Sequence, residues 1–521
     1  MPNKFYLTTP LYYVNSKPHI GHAYTEIACD VLARFARLSG KEVLFLTGTD
    51  EYDQKVAKAA EAAGFSPQEF TDRISQTFRD LWVTLNISEH DFIRTTEKRH
   101  SDAVQAVWRD LGRRGRLYKA VYSGWYCTPD ETFWTEGQVL LENGKTLCPD
   151  CKRPADRLEE ENFFLKMSDK REWLIAKIRE AKDIKVLPET RRNEVLGFLE
   201  NNELQDLCVS RPKSRLQWGI ASPLSNTHVT YVWFDALINY ITACGYGDPE
   251  KKDTFAKWWP ADVHMIGKDI LRHHAVYWPI LLDALGLKLP KVVFAHGWWT
   301  VDGQKMSKSR GNAVNPVELV KDYGVDPYRY FLLRETAFGS DGTFSEEALK
   351  LRTNTDLAND LGNLLHRTLT MCEKYFGGKV PVGASGRFQG GLRDEAAALL
   401  PTLTPMICER LEFAGALLRI WSLINKANKF IEEKAPWTLA KQGRTQELES
   451  VIAALCETLK ITAQSLWPFI PKTAEGIWIQ LGIEKPIAEF SFQETRWGFF
   501  EKGEHHVAKG TPLFPKIETK V

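Results

Sequence analysis

Lys4-Phe5-Tyr6-Leu7-Thr8-Thr9-Pro10-Leu11-Tyr12-Tyr13-Val14-Asn15-Ser16-Lys17-Pro18-His19-Ile20-Gly21-His22 opens the stretch whose pattern decides the fold. Lys4 to Thr9 alternates and is β-prone, and Pro10, Asn15 and Pro18 mark a loop. An amphipathic run from His19 to Leu38 follows and stops at Ser39-Gly40. Glu42 to Thr47 is a second apolar strand ended by Gly48-Thr49-Asp50, and Glu51 to Ala63 is an alanine-rich helix stopped by Gly64. Strands alternating with helices predict a parallel sheet, because parallel neighbours can be joined only by a crossover, usually helical.

Outward from this unit the pattern changes. From about Gly115 to Thr227 short aromatic strands such as Tyr118 to Trp125, a cysteine-bearing stretch, Glu159-Glu160-Glu161 and scattered prolines read as an insertion. Strand and helix character returns at Thr230 to Phe234, His264 to Ile266 and Lys291 to Phe294, so the sheet domain is discontinuous in sequence. After Phe344 leucine, isoleucine and alanine recur at helical spacing almost to Trp478, which predicts a helical bundle. The reading is thus α/β. It has a Rossmann-like parallel-sheet domain in two halves, 1–114 and 228–298, an insertion at 115–227, a connecting region at 299–344 and an α-helical domain at 345–521.

Composition narrows the class. With 43% hydrophobic and 26% charged residues in 521, neither a disordered chain nor a disulfide scaffold fits. Lys+Arg 68 against Asp+Glu 67 leaves a net charge of +1, so a nucleic-acid site has to be a local patch. Nine cysteines, an odd and sparse count, suit a reducing cytoplasm. Ala275 to Leu287, among the most apolar windows, is interrupted by Asp283 and falls short of the roughly 18 residues of a membrane span. The N-terminus has no leader pattern and reads as mature protein.

Two short constellations carry chemistry. Pro18-His19-Ile20-Gly21-His22 sits at a helix start, where unpaired N–H groups and the helix dipole favour an anion, and two histidines three apart share a face. The plain alternative is a pair of surface histidines. Lys305-Met306-Ser307-Lys308-Ser309 lies between Asp302-Gly303 and Gly311-Asn312, and offers two ammonium groups and two hydroxyls to a polyphosphate. Its alternative is a solvated basic turn. No Gly-x-x-x-x-Gly-Lys-Ser/Thr and no post-strand Gly-x-Gly-x-x-Gly occurs, which removes the usual marks of P-loop and dinucleotide folds.

Taken together, in this order and about 280 residues apart, the two constellations resemble the signature motifs of class I aminoacyl-tRNA synthetases. Pro10 to Asn15, Gly48-Thr49-Asp50-Glu51, Tyr231-Val232-Trp233-Phe234-Asp235-Ala236 and Gly267-Lys268-Asp269-Ile270 with His274 and Trp278 resemble the methionyl-tRNA synthetase family. So do Asn363 to Arg367, Ala435-Pro436-Trp437 and the closing Gly510 to Pro515, and the resemblance runs the whole chain. It implies ATP-dependent ligation of L-methionine to tRNA(Met), the initiator included, through a methionyl-adenylate, in support of translation initiation and elongation.

By that resemblance His19, His22 and Lys308 are catalytic, and His19, Gly21, His22, Lys305 and Lys308 hold ATP with Mg2+. Methionine is held by Leu11, Tyr13, Asp50, Trp233, Ala236, Tyr240, Ile270, His274 and Trp278. An aromatic pocket suits a thioether, since each sulfur–aromatic contact is worth about 0.3–1.5 kcal/mol. Tyr13 and His274 can donate to the sulfur, and Asp50 with the Leu11 carbonyl can hold the ammonium. Aromatic residues at helical spacing are equally ordinary core. Two departures stand out: Tyr52-Asp53 where the family often has His-Gly, and His273 where an aromatic such as Phe is expected.

Cys127-x-x-Asp130 followed by Cys148-x-x-Cys151 resembles the family's zinc knuckle with one thiolate replaced by a carboxylate. A Cys3Asp structural Zn2+ site and a knuckle held by packing both stay open. Asn363 and Arg367 share a helix face, and Trp437 offers a flat surface to a splayed base, so by resemblance these three read the CAU anticodon. A Pro-Trp pair anchoring a core is the alternative for Trp437. A synthetase for another amino acid, such as cysteine, and a silent tRNA-binding relative are the rivals. No appended oligonucleotide-binding barrel follows Trp497, so a monomer is expected, with no membrane partner.

Overall fold

The computed structural model describes residues 3–128, 132–134, 136–142, 144–301, 304–305, 314–384 and 391–517, with the side chains of residues 122, 132, 133, 304 and 305 outside that description. The N-terminal unit runs β1 (Lys4–Thr8), β2 (Tyr12–Tyr13), α1 (Ile20–Leu38), β3 (Glu42–Asp50), α2 (Gln54–Ala63), α3 (Pro67–Thr84), β4 (Asp91–Arg94) and α4 (Lys98–Arg113). A parallel sheet follows, as the alternation predicts. Its order is Lys185–Leu187, Val292–His296, Val263–Gly267, β1, β3, and β3 then pairs with β2 and β4 at its far end. β1 is buried along its whole length, as a strand covered on both faces has to be. Lys4 is accommodated there because its ammonium donates to the Trp258 and Pro260 carbonyls at 2.7 and 2.6 Å and pairs with Asp262 at 3.1 Å.

Between β1 and Val263–Gly267 the sheet changes direction of growth, since β1 is followed through α1 by β3 on its other side. Ligands of open α/β sheets bind beyond the strand C-termini at such a point, and the loop carrying Tyr13 to His19 emerges there.

Four local expectations change. Gly48-Thr49-Asp50 does not end β3 but continues it to Asp50. A Cβ at Gly48 would lie 1.9 Å from the Ile93 carbonyl oxygen, so glycine is what lets β4 approach. The second helix begins at Gln54 rather than Glu51, because Asp53 caps it through Oδ1 and the Lys55 N–H at 2.7 Å. The first helix begins at Ile20 rather than His19, because His19 is its cap. Finally, Lys185–Leu187, inside the stretch read as an insertion, pairs with Val292–Phe294 and forms an edge of the central sheet. A strand of three residues has no period for the sequence to display.

The remainder of that stretch builds a separate antiparallel sheet ordered Leu207–Cys208, Asp156–Leu165, Leu117–Cys127, Thr132–Trp134. Beyond Ser345 helices succeed one another from Glu346–Arg352 to Pro471–Gln480. Apolar packing forms two large clusters on either side of the central sheet. One joins α4 to residues 163–293, and the other runs from α1 and α3 through Val325–Arg334 into the helical region without a break. Among the described residues no helix is long and apolar enough to cross a membrane.

Candidate active site

The start of α1 is closed by histidines instead of the usual hydroxyl or carboxylate. His19 Nδ1 accepts from the Gly21 N–H at 3.1 Å, and His22 Nδ1 accepts from the His19 N–H at 3.1 Å, a reciprocal cap. Accepting at Nδ1 places the proton of each neutral ring on Nε2, opposite the helix end. The rings stack with centroids 3.9 Å apart. Gly21 is required by this arrangement, because a Cβ there would come within 2.9 Å of His19 Cε1. Tyr12 meets His22 edge-on at 4.9 Å and stacks on Phe78 at 5.7 Å, so the pair has an aromatic wall behind it.

Below this wall Glu26 is fully buried and accepts from the Thr47 hydroxyl. Burial pushes its carboxyl up to about 8, so it is mostly neutral at pH 7. Beside Glu26 on α1 the Thr25 hydroxyl meets His296 Nε2 at 2.8 Å, tying the helix to the end of Val292–His296.

Register brings the next two residues together. β2 pairs with the end of β3 so that Tyr13 stands opposite Asp50, which is 2% exposed. Tyr13 and Leu11 are half-buried, and the Tyr13 ring meets Trp233 edge-on at 6.1 Å. Trp233 in turn stacks on His273 at 3.6 Å and stands edge-on to His274 at 6.3 Å. His273 therefore fills the place expected of a phenylalanine as a flat ring.

Ala236 lies on the same short helix as Trp233, Val232–Leu237. Tyr240 and Trp278 lie deeper, at 1% and 0% exposure, 5.8 Å apart. Trp278 donates to His264 Nε2 at 3.2 Å, and His264 Nδ1 faces the Thr8 hydroxyl at 2.8 Å.

One expectation is corrected here. His274 Nδ1 faces the Ile270 carbonyl at 3.0 Å and Nε2 faces the Tyr240 hydroxyl at 2.7 Å, while burial lowers its pKa to about 4. A neutral ring whose Nδ1–H is given to a carbonyl and whose Nε2 receives a phenol has no proton left for a sulfur. His274 orders Tyr240 instead.

The departure at Tyr52-Asp53 also has a structural account. Asp53 caps α2, as above, and the Tyr52 ring packs on Trp218 at 5.0 Å, whose indole N–H donates to the Glu51 carbonyl at 2.6 Å. The Glu51 carboxylate is fully buried and takes Arg94 at 2.7 and 2.9 Å, Thr49 at 2.8 Å and Thr96 at 2.5 Å. The residue after Asp50 is thus held from three sides. Sequence reading missed this clamp, and also the buried pair His100 Nε2 to Asp235 Oδ1 at 2.5 Å, on the short helix that carries Trp233. Asp235 was part of a quoted motif, but nothing near it in sequence points to His100.

Lys308 and the side chain of Lys305 lie outside the described residues; the Lys305 backbone pairs with Thr300 at the hairpin after Trp299–Val301. Asp130 also lies outside them. Cys127, Cys148 and Cys151 converge, with ligand atoms all within 4.8 Å and the Cys127 and Cys151 sulfurs 3.4 Å apart. Three thiol sulfurs at that spacing fit a tetrahedral ion with Zn–S near ~2.3 Å. A tight turn holds the second pair: the Lys152 N–H donates to the Cys148 carbonyl at 3.0 Å and the Cys148 N–H to Arg153 at 2.8 Å.

Far along the chain, Asn363 is exposed and Arg367 half-buried on Asn363–Phe376, with Arg367 paired to Glu432 at 2.6 Å. Glu432 lies just before the turn that leads to Trp437, which is 39% exposed, whereas Pro436 is buried. The core anchor of this Pro-Trp pair is the proline.

The family model described as tRNA synthetases class I (M) matches residues 5–369. A methionine--tRNA ligase of Caldanaerobacter subterraneus subsp. tengcongensis is 47% identical over 521 residues, covering all of this chain and 80% of that protein. One from Bacillus subtilis is 45% identical over 528 residues, covering 99% and 78%. The structure of Mycobacterium tuberculosis methionyl-tRNA synthetase in complex with methionyl-adenylate superposes with a TM-score of 0.91 at 40% identity, covering 98% of this chain and 99% of that one.

Proposed function

The chain belongs to the methionine--tRNA ligases of the class I tRNA synthetases, and from that membership we propose that it charges tRNA(Met) with L-methionine through a methionyl-adenylate. The amino-acid carboxylate attacks the α-phosphate of ATP, supplied as its Mg2+ complex, and pyrophosphate leaves. A terminal ribose hydroxyl of the tRNA, losing its proton, then attacks the activated carbonyl, and the acyl–phosphate bond breaks to release AMP. Phosphoryl chemistry of this kind depends on positioning and charge stabilisation more than on covalent help. The observation that carries the reading is the pair of stacked histidines capping α1 at the change of direction of the sheet, beside the Tyr13 to Asp50 register pair.

In this reading the Nε2–H groups of His19 and His22, with Lys308, stabilise charge on the phosphate, and Lys305 with Gly21 completes the nucleotide site. Asp50 with the Leu11 carbonyl takes the methionine ammonium. Tyr13, Trp233, Ala236, Tyr240, Ile270 and Trp278 wall the thioether, with His274 ordering Tyr240. Cys127, Cys148 and Cys151, with Asp130, would hold Zn2+ as a structural ion. Methionine-dependent ATP–pyrophosphate exchange across the twenty amino acids tests the function. Methionine alone should support exchange, with about one zinc per chain in the same preparation; exchange with a different amino acid overturns the assignment.

Asn363, Arg367 and Trp437 form the proposed anticodon surface. Stacking of one base on an exposed indole is worth about 1–3 kcal/mol. Trp437→Ala should therefore raise the KM for tRNA in aminoacylation by roughly 5- to 150-fold. An unchanged KM would return Trp437 to an ordinary surface residue.

A further inference from the structure

The guanidinium of Arg329, on the helix Val325–Arg334, is completely buried and serves three parts of the chain at once. Its Nε donates to the Phe469 carbonyl at 2.8 Å, Nη1 to Leu85 at 3.1 Å, and Nη2 to Pro468 at 3.0 Å and to Asp30 Oδ2 at 2.6 Å. Asp30 lies on α1. Its Oδ2 also takes Arg34 at 2.8 Å and its Oδ1 the Ser88 N–H at 2.9 Å and the Ser88 hydroxyl at 2.5 Å. Arg34 continues to the Asn86 carbonyl at 2.8 Å and lies over Trp467 at 4.8 Å. At the other end of α1 the Phe492 N–H donates to the Leu38 carbonyl at 2.8 Å, and its ring packs on Phe35 at 4.7 Å. Asp326, on the same helix as Arg329, accepts the Thr473 N–H at 2.5 Å.

A buried ion network of this kind is seldom the cheapest way to stabilise a fold, because a well-packed apolar replacement is often as stable. Its particular property is geometric. With a fifth, longer contact from Nη1 to the Asn86 carbonyl at 3.5 Å, the planar fork has all three nitrogens engaged and allows one position of Asp30 relative to the Pro468–Phe469 turn. Asp30 stands eight residues beyond His22, about 12 Å along a rigid helix, so what locates Asp30 locates the histidine cap.

We propose that Arg329 is a positioning residue for adenylate formation: through Asp30 it fixes the axial setting of α1, and so makes the placement of His19 and His22 depend on the C-terminal helical region. This rests on the reading of the two histidines given above. None of the residues assigned to methionine is among the partners of Arg329. Its loss therefore acts on the rate of the step and on the nucleotide held at the start of α1, and spares methionine binding.

The test is ATP–pyrophosphate exchange by the full chain, with kcat expressed per active site titrated by an adenylate burst and thermal melting followed alongside. Arg329→Met and Asp30→Asn should each lower kcat per site by about tenfold or more, with KM for methionine within about twofold, as expected for a small misplacement of catalytic groups. Arg329→Lys, which keeps the charge and is the variant of choice if Arg329→Met does not fold, should fall in between. Lowered melting with unchanged kcat per site would overturn the proposal in favour of a purely structural role, and so would a change confined to KM for methionine. If the wild-type protein exchanges an amino acid other than methionine, the assignment of substrate fails, and the same comparison with that amino acid still decides the role of Arg329.

Discussion

His22→Ala is expected to lower kcat for methionine-dependent ATP–pyrophosphate exchange by about 10²–10³, the usual cost of removing one preorganised donor from developing oxyanion charge. The same change removes half of the reciprocal cap at the start of α1, which costs only about 1 kcal/mol of stability. The two consequences are therefore separable. His19→Asn sharpens the point, because asparagine is a good N-cap acceptor but cannot present an imidazole Nε2–H to the phosphate. That variant should melt close to the wild type and still lose most of its activity. Full activity in either variant, measured by initial rates at saturating ATP and methionine, would reduce the histidines to a helix cap.

Asp50→Ala is expected to act on a different constant. The carboxylate is almost wholly buried at the end of β3, opposite Tyr13, and a substrate ammonium held there forms a desolvated, hydrogen-bonded ion pair. Truncating one member of such a pair costs about 2–5 kcal/mol, or roughly 30- to 5,000-fold in kcat/KM for methionine. Most of the loss should appear in KM for methionine and little in KM for ATP. Exchange kinetics with each substrate varied in turn decide the matter. A rise in KM for ATP alone would move Asp50 to the nucleotide side. Because Glu51 is held independently by Arg94, Thr49 and Thr96, the end of β3 should keep its shape in the variant.

The departures from the family pattern show how far residue identity can be read in isolation. Asp53 reads as an added charge replacing a permissive glycine, whereas in the fold it is the cap of α2. His273 reads as a missing aromatic, yet it stacks on Trp233 at 3.6 Å as an aromatic would. His274 reads as a donor to sulfur, but its two nitrogens are committed to Ile270 and Tyr240. In each case the residue type was visible and its partner was not.

Whereas the cysteine knuckle rested on the family resemblance, period and punctuation in the chain were enough to determine the alternating parallel sheet, its interruption after Gly115, the helical region beyond Phe344 and the histidine motif at a helix start. These are properties of neighbours in sequence, or of spacings that a strand, a helix or a turn imposes. Tertiary structure alone decided that Lys185–Leu187 joins the central sheet, that Trp218 reaches the Glu51 carbonyl 167 residues away, and that Arg329 meets Asp30 across 299. A buried donor has to find an acceptor, but any carbonyl or carboxylate satisfies that need. Which one it finds is settled by how the two apolar faces of the sheet are covered, and no local pattern records that choice.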